Sequence, residues 1–154
     1  MAQPFVPTDF RPPTHLVTEH TVLRALGPKH NAADYAAWTS SVDHIEATPG
    51  YSTDSAWPDA AMSLEQNLRD LEMHARHFAA REGFTYTVLD RRDESRVVGC
   101  VYIYPHDDAA YDAHVRSWVS AARAELDVEV WRAVSDWLAR DWPFETVDYA
   151  SRER

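Results

Sequence analysis

The chain has 154 residues, is 45% apolar and carries a net charge of −10, which fits one domain around one core. The negative field repels phosphate backbones and anionic lipid surfaces, so nucleic acid and membrane are excluded as partners, and no run reaches the roughly 18 apolar residues of a membrane helix. Cys100 is the only cysteine; no intrachain disulfide can form, which fits a reducing cytoplasm, and the first residues lack the basic and apolar regions of a signal peptide.

Residues 1–14 contain Pro4, Pro7, Pro12 and Pro13. Proline fixes φ and removes a donor, so this is an extended arm, free to lie on a neighbour, ahead of a single domain over 15–154. His15 to Leu26 reads as one strand, with Leu16, Val17, Val22 and Leu23 as its apolar side chains and Gly27-Pro28 as its breaker. Asn31 is placed to cap a helix, Asp34 falls in its first turn where the dipole favours negative charge, and Tyr35, Trp38, Val42 and Ile45 share one face. Residues 47–62, with Pro49-Gly50, Asp54 and Pro58-Asp59, form a loop long enough to carry function.

Ser63-Leu64-Glu65-Gln66 is a capping box, and the helix behind it sets Leu64, Leu68, Leu71, Ala75 and Phe78 on one stripe before Gly83 stops it in a left-handed turn. From Phe84 the period becomes two. Phe84 to Leu89 and Val97 to Tyr104 pair as a hairpin around the polar turn Asp90–Ser95, and His114 to Val119 is the third strand of the meander. Asp127 then caps a helix carrying Val130, Trp131, Val134, Trp137 and Leu138, Pro143 ends it, and Thr146 to Tyr149 is a last short strand. The order β-α-α-β-β-β-α-β gives an α+β fold: a mostly antiparallel twisted sheet with helices on both faces.

That order resembles the GNAT N-acetyltransferases. Thr21-Val22-Leu23-Arg24-Ala25-Leu26 is similar to the family's opening strand. Tyr86 to Asp90 followed by Val97 to Tyr102 resembles its central hairpin, and Ser117-Trp118-Val119 its fourth strand leading into the cofactor helix. The resemblance covers residues 15–150 and implies transfer of an acetyl group from acetyl-CoA to a small-molecule or peptide amine. It places Trp118, Val119, Arg123 and Ala124 at the cofactor. It sets His114 near the position of the family's base and Tyr149 as a stand-in for its acid. Trp38, Tyr102 and Tyr104 fall where the acceptor is bound; Trp57, Asp43, Glu46 and Asp54 could join them, since aromatic walls with acidic groups suit a cationic amine.

Two departures from the family stand out. Its Arg/Gln-x-x-Gly-x-Gly/Ala loop lets backbone N–H groups reach a diphosphate at a helix N-terminus. Here Ala121 to Glu129 has no glycine, and Glu125, Asp127 and Glu129 bring three carboxylates to that place. The family also continues past its fifth strand, so a second copy completing the sheet is an expected partner. Two readings therefore stay open: an N-acyltransferase, and a non-catalytic ligand- or protein-binding module on the same scaffold. His74 and His77 form a His-x-x-His pair on a helix without a third ligand pattern, so a solvated face is expected there and no metal. Cys100, inside an apolar strand, is expected to act as a small hydrophobe.

Overall fold

The meander dictates the sheet. A computed structural model describes residues 3–153; of the proline-rich arm, Met1 and Ala2 lie outside the described residues, as does Arg154 at the other end. The strands are β1 His15–Val17, β2 Thr21–Ala25, β3 Phe84–Asp90, β4 Asp93–Tyr104, β5 Ala113–Val119 and β6 Val147–Tyr149. They form one six-stranded sheet in sequential order. All neighbours are antiparallel except β5 and β6, which are parallel and paired only from Ala113↔Val147 to Val115↔Tyr149. The helices are α1 Asn31–Thr39, α2 Val42–Glu46, α3 Leu64–Ala80 and α4 Asp127–Asp141. The helix α4 is the crossover that parallel pairing of β5 and β6 requires.

The expected α+β sheet is present, with local corrections. The stretch His15–Leu26 is two strands, because Thr18 folds back on Thr21: its hydroxyl accepts from the Thr21 N–H at 2.9 Å. The first helix breaks in two at Ser40–Ser41. Thr39 and Ser40 hydroxyls bond the carbonyls of Tyr35 and Ala36 at 2.6 and 2.8 Å, a competition with the helix ladder that weakens it locally. Asn31 does not cap α1; the cap position is His30, and the Asn31 amide donates to Leu64 O at 3.2 Å instead.

The capping box of α3 forms as read, with Ser63 Oγ accepting from Gln66 N–H at 3.1 Å and Gln66 Oε1 accepting from Ser63 N–H at 2.8 Å. Its buried face, however, carries Asn67, Leu71 and His74, while Leu64 is exposed. The left-handed residue after α3 is Arg81, at φ 64°. Gly83 has a different reason: a methyl there would collide with the Tyr104 ring.

Two cores lie on the two faces of the sheet. On one, α4 lays Val130, Val134, Trp137 and Leu138 against Phe84, Tyr86, Val101, Ile103 and Val115. Residues of the N-terminal segment join this core: Val6 is buried, Phe5 stacks on Phe84 and Phe144, and Tyr86 donates its hydroxyl to Pro13 O at 2.7 Å. On the other face α1 and α3 cover Leu26, Trp38, Ile45, Leu71, Cys100 and Trp118. Burying a large apolar side chain contributes about 1.5–3 kcal/mol, so the aromatic residues dominate both layers. Among the described residues no helix is long and apolar enough to cross a membrane.

Candidate functional site

Strand alternation builds the site on the α1–α3 face. Cys100, Tyr102 and Tyr104 of β4 stand opposite Trp118, Arg116 and His114 of β5, all on one side of the sheet. Cys100 and Trp118 are sealed under α1, and burial pushes the Cys100 thiol well up. At Tyr102, Tyr104 and Arg116 the row opens into a cavity of about 410 Å³. A second wall comes from α3, where Asp70, Met73, His74 and His77 stand at i, i+3, i+4 and i+7 on one face, and Tyr51 and Trp57 of the 47–62 loop close a third side.

The loop side is aromatic. The Trp57 ring lies 5.4 Å from Trp38, 5.9 Å from Trp118 and 6.2 Å from Tyr102. The Arg116 guanidinium sits over the Tyr51 ring at 5.3 Å. Burial pushes the Tyr51 and Tyr102 hydroxyls up, so both remain neutral donors; Tyr102 accepts from the Trp118 indole N–H at 3.0 Å.

The α3 side is polar. The Tyr104 hydroxyl is 2.9 Å from Nδ1 of His74 and 2.9 Å from Nδ1 of His77. Thr85 Oγ1 is also 2.9 Å from His74 Nδ1, and Asp70 Oδ2 faces His74 Nε2 at 3.6 Å. Behind this wall Asp34, 4% exposed, accepts from the Asn67 amide at 3.1 Å. Desolvation pushes its carboxyl up to about 6, Asp70 adding repulsion while Asn67 and His74 oppose the rise.

Of the residues expected at the acceptor, Tyr102 and Tyr104 line this cavity, whereas Trp38 is fully buried behind it with its N–H on Asn67 Oδ1 at 3.0 Å. Trp57 joins the lining; Asp43, Glu46 and Asp54 do not. His114 shares the cavity's face of the sheet but lies beyond its rim, its ring 5.0 Å from His106; burial, then Arg116, holds it below the ordinary imidazole range. Tyr149 pairs with Val115 and points to the α4 face, where it bonds Ser117 Oγ and burial pushes it up to about 12. The expected base and acid thus stand on opposite faces of the sheet. Asp70, Tyr51 and Arg116 were not anticipated. His74 and His77 were legible as a pair, but His74 is buried in the wall, because α3 turns its Asn67–Leu71–His74 face inward.

No family model matches the sequence, and no curated protein is similar to it in sequence. Solved structures are similar in shape. The ribosomal-protein-S5-alanine acetyltransferase of Vibrio fischeri superposes with a TM-score of 0.61 at 16% identity, covering 82% of this chain and 67% of that one. This is the GNAT fold. An acetyltransferase of Salmonella typhimurium that modifies the N-terminal serine of ribosomal protein L7/L12 gives 0.60 at 12% identity, over 81% and 67% of the two chains. The microcin C7 self-immunity acetyltransferase MccE, solved with acetyl-CoA and AMP, gives 0.62 at 14%, over 83% and 66%.

In this GNAT fold the turn that leads into α4 has partners within the protein. Ala121 N–H donates to Ser41 Oγ at 2.9 Å, and Arg123 N–H to Ser120 O at 2.9 Å. Val119 is core and Ala124 is exposed. Arg123 binds Asp90 at 2.7 Å and Glu125 at 3.3 Å. Asp127 is the first residue of α4 rather than its cap. Its Oδ2 accepts from Arg152 Nε at 2.9 Å, and the Arg152 guanidinium, 2% exposed, also donates to Ser117 O at 2.7 Å and Ala150 O at 2.8 Å. With the Ala121 and Arg123 N–H groups engaged and Glu125, Asp127 and Glu129 following in sequence, this segment does not fit a diphosphate on backbone amides. The nearby groove formed by His20, Arg91, Arg92 and Arg123 with Glu19 and Asp90 gathers guanidinium groups at that end, with Arg123 held by its carboxylates and Arg91 donating to Thr18 O at 3.1 Å.

Proposed function

We propose that the chain is an N-acyltransferase of the GNAT type whose acceptor is a small amine with an apolar body, held in the aromatic cavity. The observation that carries this reading is the cavity's lining: Tyr51, Trp57 and Tyr102 for an apolar body, Asp70 for an ammonium, and Arg116 for a carboxylate on the same molecule. Amino acids with apolar or aromatic side chains match that set. Acetyl-CoA is the donor implied by the fold. Because the head of α4 does not suit its diphosphate, that anion has only guanidinium groups such as Arg91 and Arg92 to meet at this end.

A second reading rests on the same closure by Asp127 and Arg152. In it the domain keeps the amine cavity, binds no thioester and works in the cytoplasm as a binding module, alone or as a dimer of two copies. Calorimetric titration separates the two. L-phenylalanine and phenethylamine are titrated first, then acetyl-CoA with free CoA as control, and acetyl transfer is followed by mass spectrometry. Amine binding with micromolar acetyl-CoA binding and N-acetyl product supports the transferase. Amine binding with no heat from either thioester or CoA supports the module, and no amine binding sinks both.

A further inference from the structure

Three side chains of α3 and one of β4 form a polar run that ends in the cavity: hydrogen-bond contacts join His74, Tyr104 and His77, and Asp70 stands beside His74. The proton inventory orients it. Tyr104 has one hydroxyl hydrogen but lies 2.9 Å from two ring nitrogens, so at most one ring accepts from it and at least one donates to its oxygen. Nε2 of His74 faces the Asp70 carboxylate at 3.6 Å, longer than a hydrogen bond, and that negative charge favours the tautomer with the hydrogen on Nε2 and a lone pair on Nδ1. Two hydroxyls approach that lone pair, Tyr104 and Thr85, and the more acidic phenol is the stronger donor. Tyr104 therefore donates to His74, and His77 donates its Nδ1 hydrogen to the Tyr104 oxygen. What remains is Nε2 of His77: an unprotonated nitrogen, without a protein hydrogen bond among the described residues, on a side chain that lines the cavity.

We propose that His77 Nε2 is the base that takes the proton of an amine bound in the cavity, and that Tyr104 and His74 carry the charge to Asp70. This rests on the amine reading of the cavity. The step balances. The ammonium N–H bond breaks and an Nε2–H bond forms on His77. The Nδ1 hydrogen of His77 passes to the Tyr104 oxygen, and the Tyr104 hydroxyl hydrogen passes to His74 Nδ1. The amine ends neutral with its lone pair free, His77 ends neutral in the opposite tautomer, and His74 ends as an imidazolium beside the Asp70 carboxylate. Keeping the charge off His77 keeps it away from the reacting amine. The other titratable groups near the run are Asp34 on α1, Tyr102 on β4, Arg116 on β5 and Glu82 just after α3; Asp34 adds negative charge on the His74 side, Glu82 adds it near Tyr104, and Arg116 stands among the cavity-lining residues. Only His77 is a catalytic residue in this scheme. Tyr104, His74 and Asp70 relay and position.

Nitrogen-15 NMR of the histidine rings tests the scheme without requiring turnover. In the free protein His77 is expected as the Nδ1–H tautomer and His74 as the Nε2–H tautomer; the reverse for His77 overturns the proposal. Tyr104→Phe keeps the ring that packs over Gly83 but removes the link, and His77 is then expected to revert to the common Nε2–H form. On saturation with L-phenylalanine, His74 shifts to imidazolium and His77 switches tautomer, whereas in His77→Gln the His74 ring stays neutral. If L-phenylalanine binds, as read by tryptophan fluorescence, and His77 itself becomes charged or neither ring responds, the relay falls while the amine reading stands. If L-phenylalanine and phenethylamine both fail to bind, the amine reading falls and the relay's substrate step with it.

Discussion

Asp34 is a carboxyl with 4% exposure whose neighbours include a second carboxylate, Asp70. Its carboxyl is raised from 3.8 to about 6 in the fold, chiefly by desolvation. At about 1.36 kcal/mol for each tenfold change in acidity, ionising it in the folded chain costs about 3 kcal/mol relative to the unfolded one. The sign follows from proton counting. Between pH 3.8 and about 6 the folded state binds more protons than the unfolded state, so this group's contribution to stability falls as pH rises, and the full penalty is present above about pH 7. Asp34→Asn removes the ionisation while its carbonyl can still accept from Asn67. The stability of this variant relative to the parent, from urea unfolding followed by tryptophan fluorescence, is expected to rise by about 2 kcal/mol between pH 4.5 and pH 8. A difference that does not change with pH, or one that moves against the variant as pH rises, refutes the burial argument for Asp34.

Three further outcomes are expected. Arg152→Ala strands Asp127 without its buried cation and lowers stability by about 3 kcal/mol; in a double-mutant cycle with Asp127→Asn the two changes are strongly non-additive in urea unfolding, and additivity would show that the pair does not hold the head of α4. Gly83→Ala drives a methyl into the Tyr104 ring, lowering stability by about 1–3 kcal/mol and displacing the hydroxyl from both histidines, so the histidine NMR signals move together. Trp57→Ala removes an aromatic wall of the cavity, and calorimetry is expected to show at least about tenfold weaker L-phenylalanine binding, about 1.4 kcal/mol, with the fold retained; unchanged affinity would place the amine elsewhere.

Local rules were enough for the elements whose signals are short-range. The period-two alternation from Phe84 to Tyr104, the Ser63–Gln66 box and the stripe on α4 each depend on residues within a few positions of one another, and each formed, although β4 begins at Asp93 inside the stretch read as a turn and Trp131 is not among the buried residues of α4. The order of those elements was also enough to point to the GNAT fold. The carboxylates at the head of α4 were legible as an obstacle to a diphosphate, though their partner Arg152, 25 residues away from Asp127, was not. Local rules misled where a tertiary partner outweighed them. Asp34 reads as a first-turn charge on the helix dipole, yet α3 buries it. His74 reads as a solvated helix residue, yet the rotation of α3 aims it at Tyr104, 30 residues further along. The faces of β5 and β6 likewise could not be assigned before their register was known, and that register sends His114 and Tyr149 to opposite sides of the sheet. Sequence spacing fixes which side chains share a face of one element. Which face looks inward, and what meets it there, is decided by how all the elements bury their apolar surface together, and that packing is what assembles Asp70, His74, His77, Tyr104 and Arg116 around one cavity.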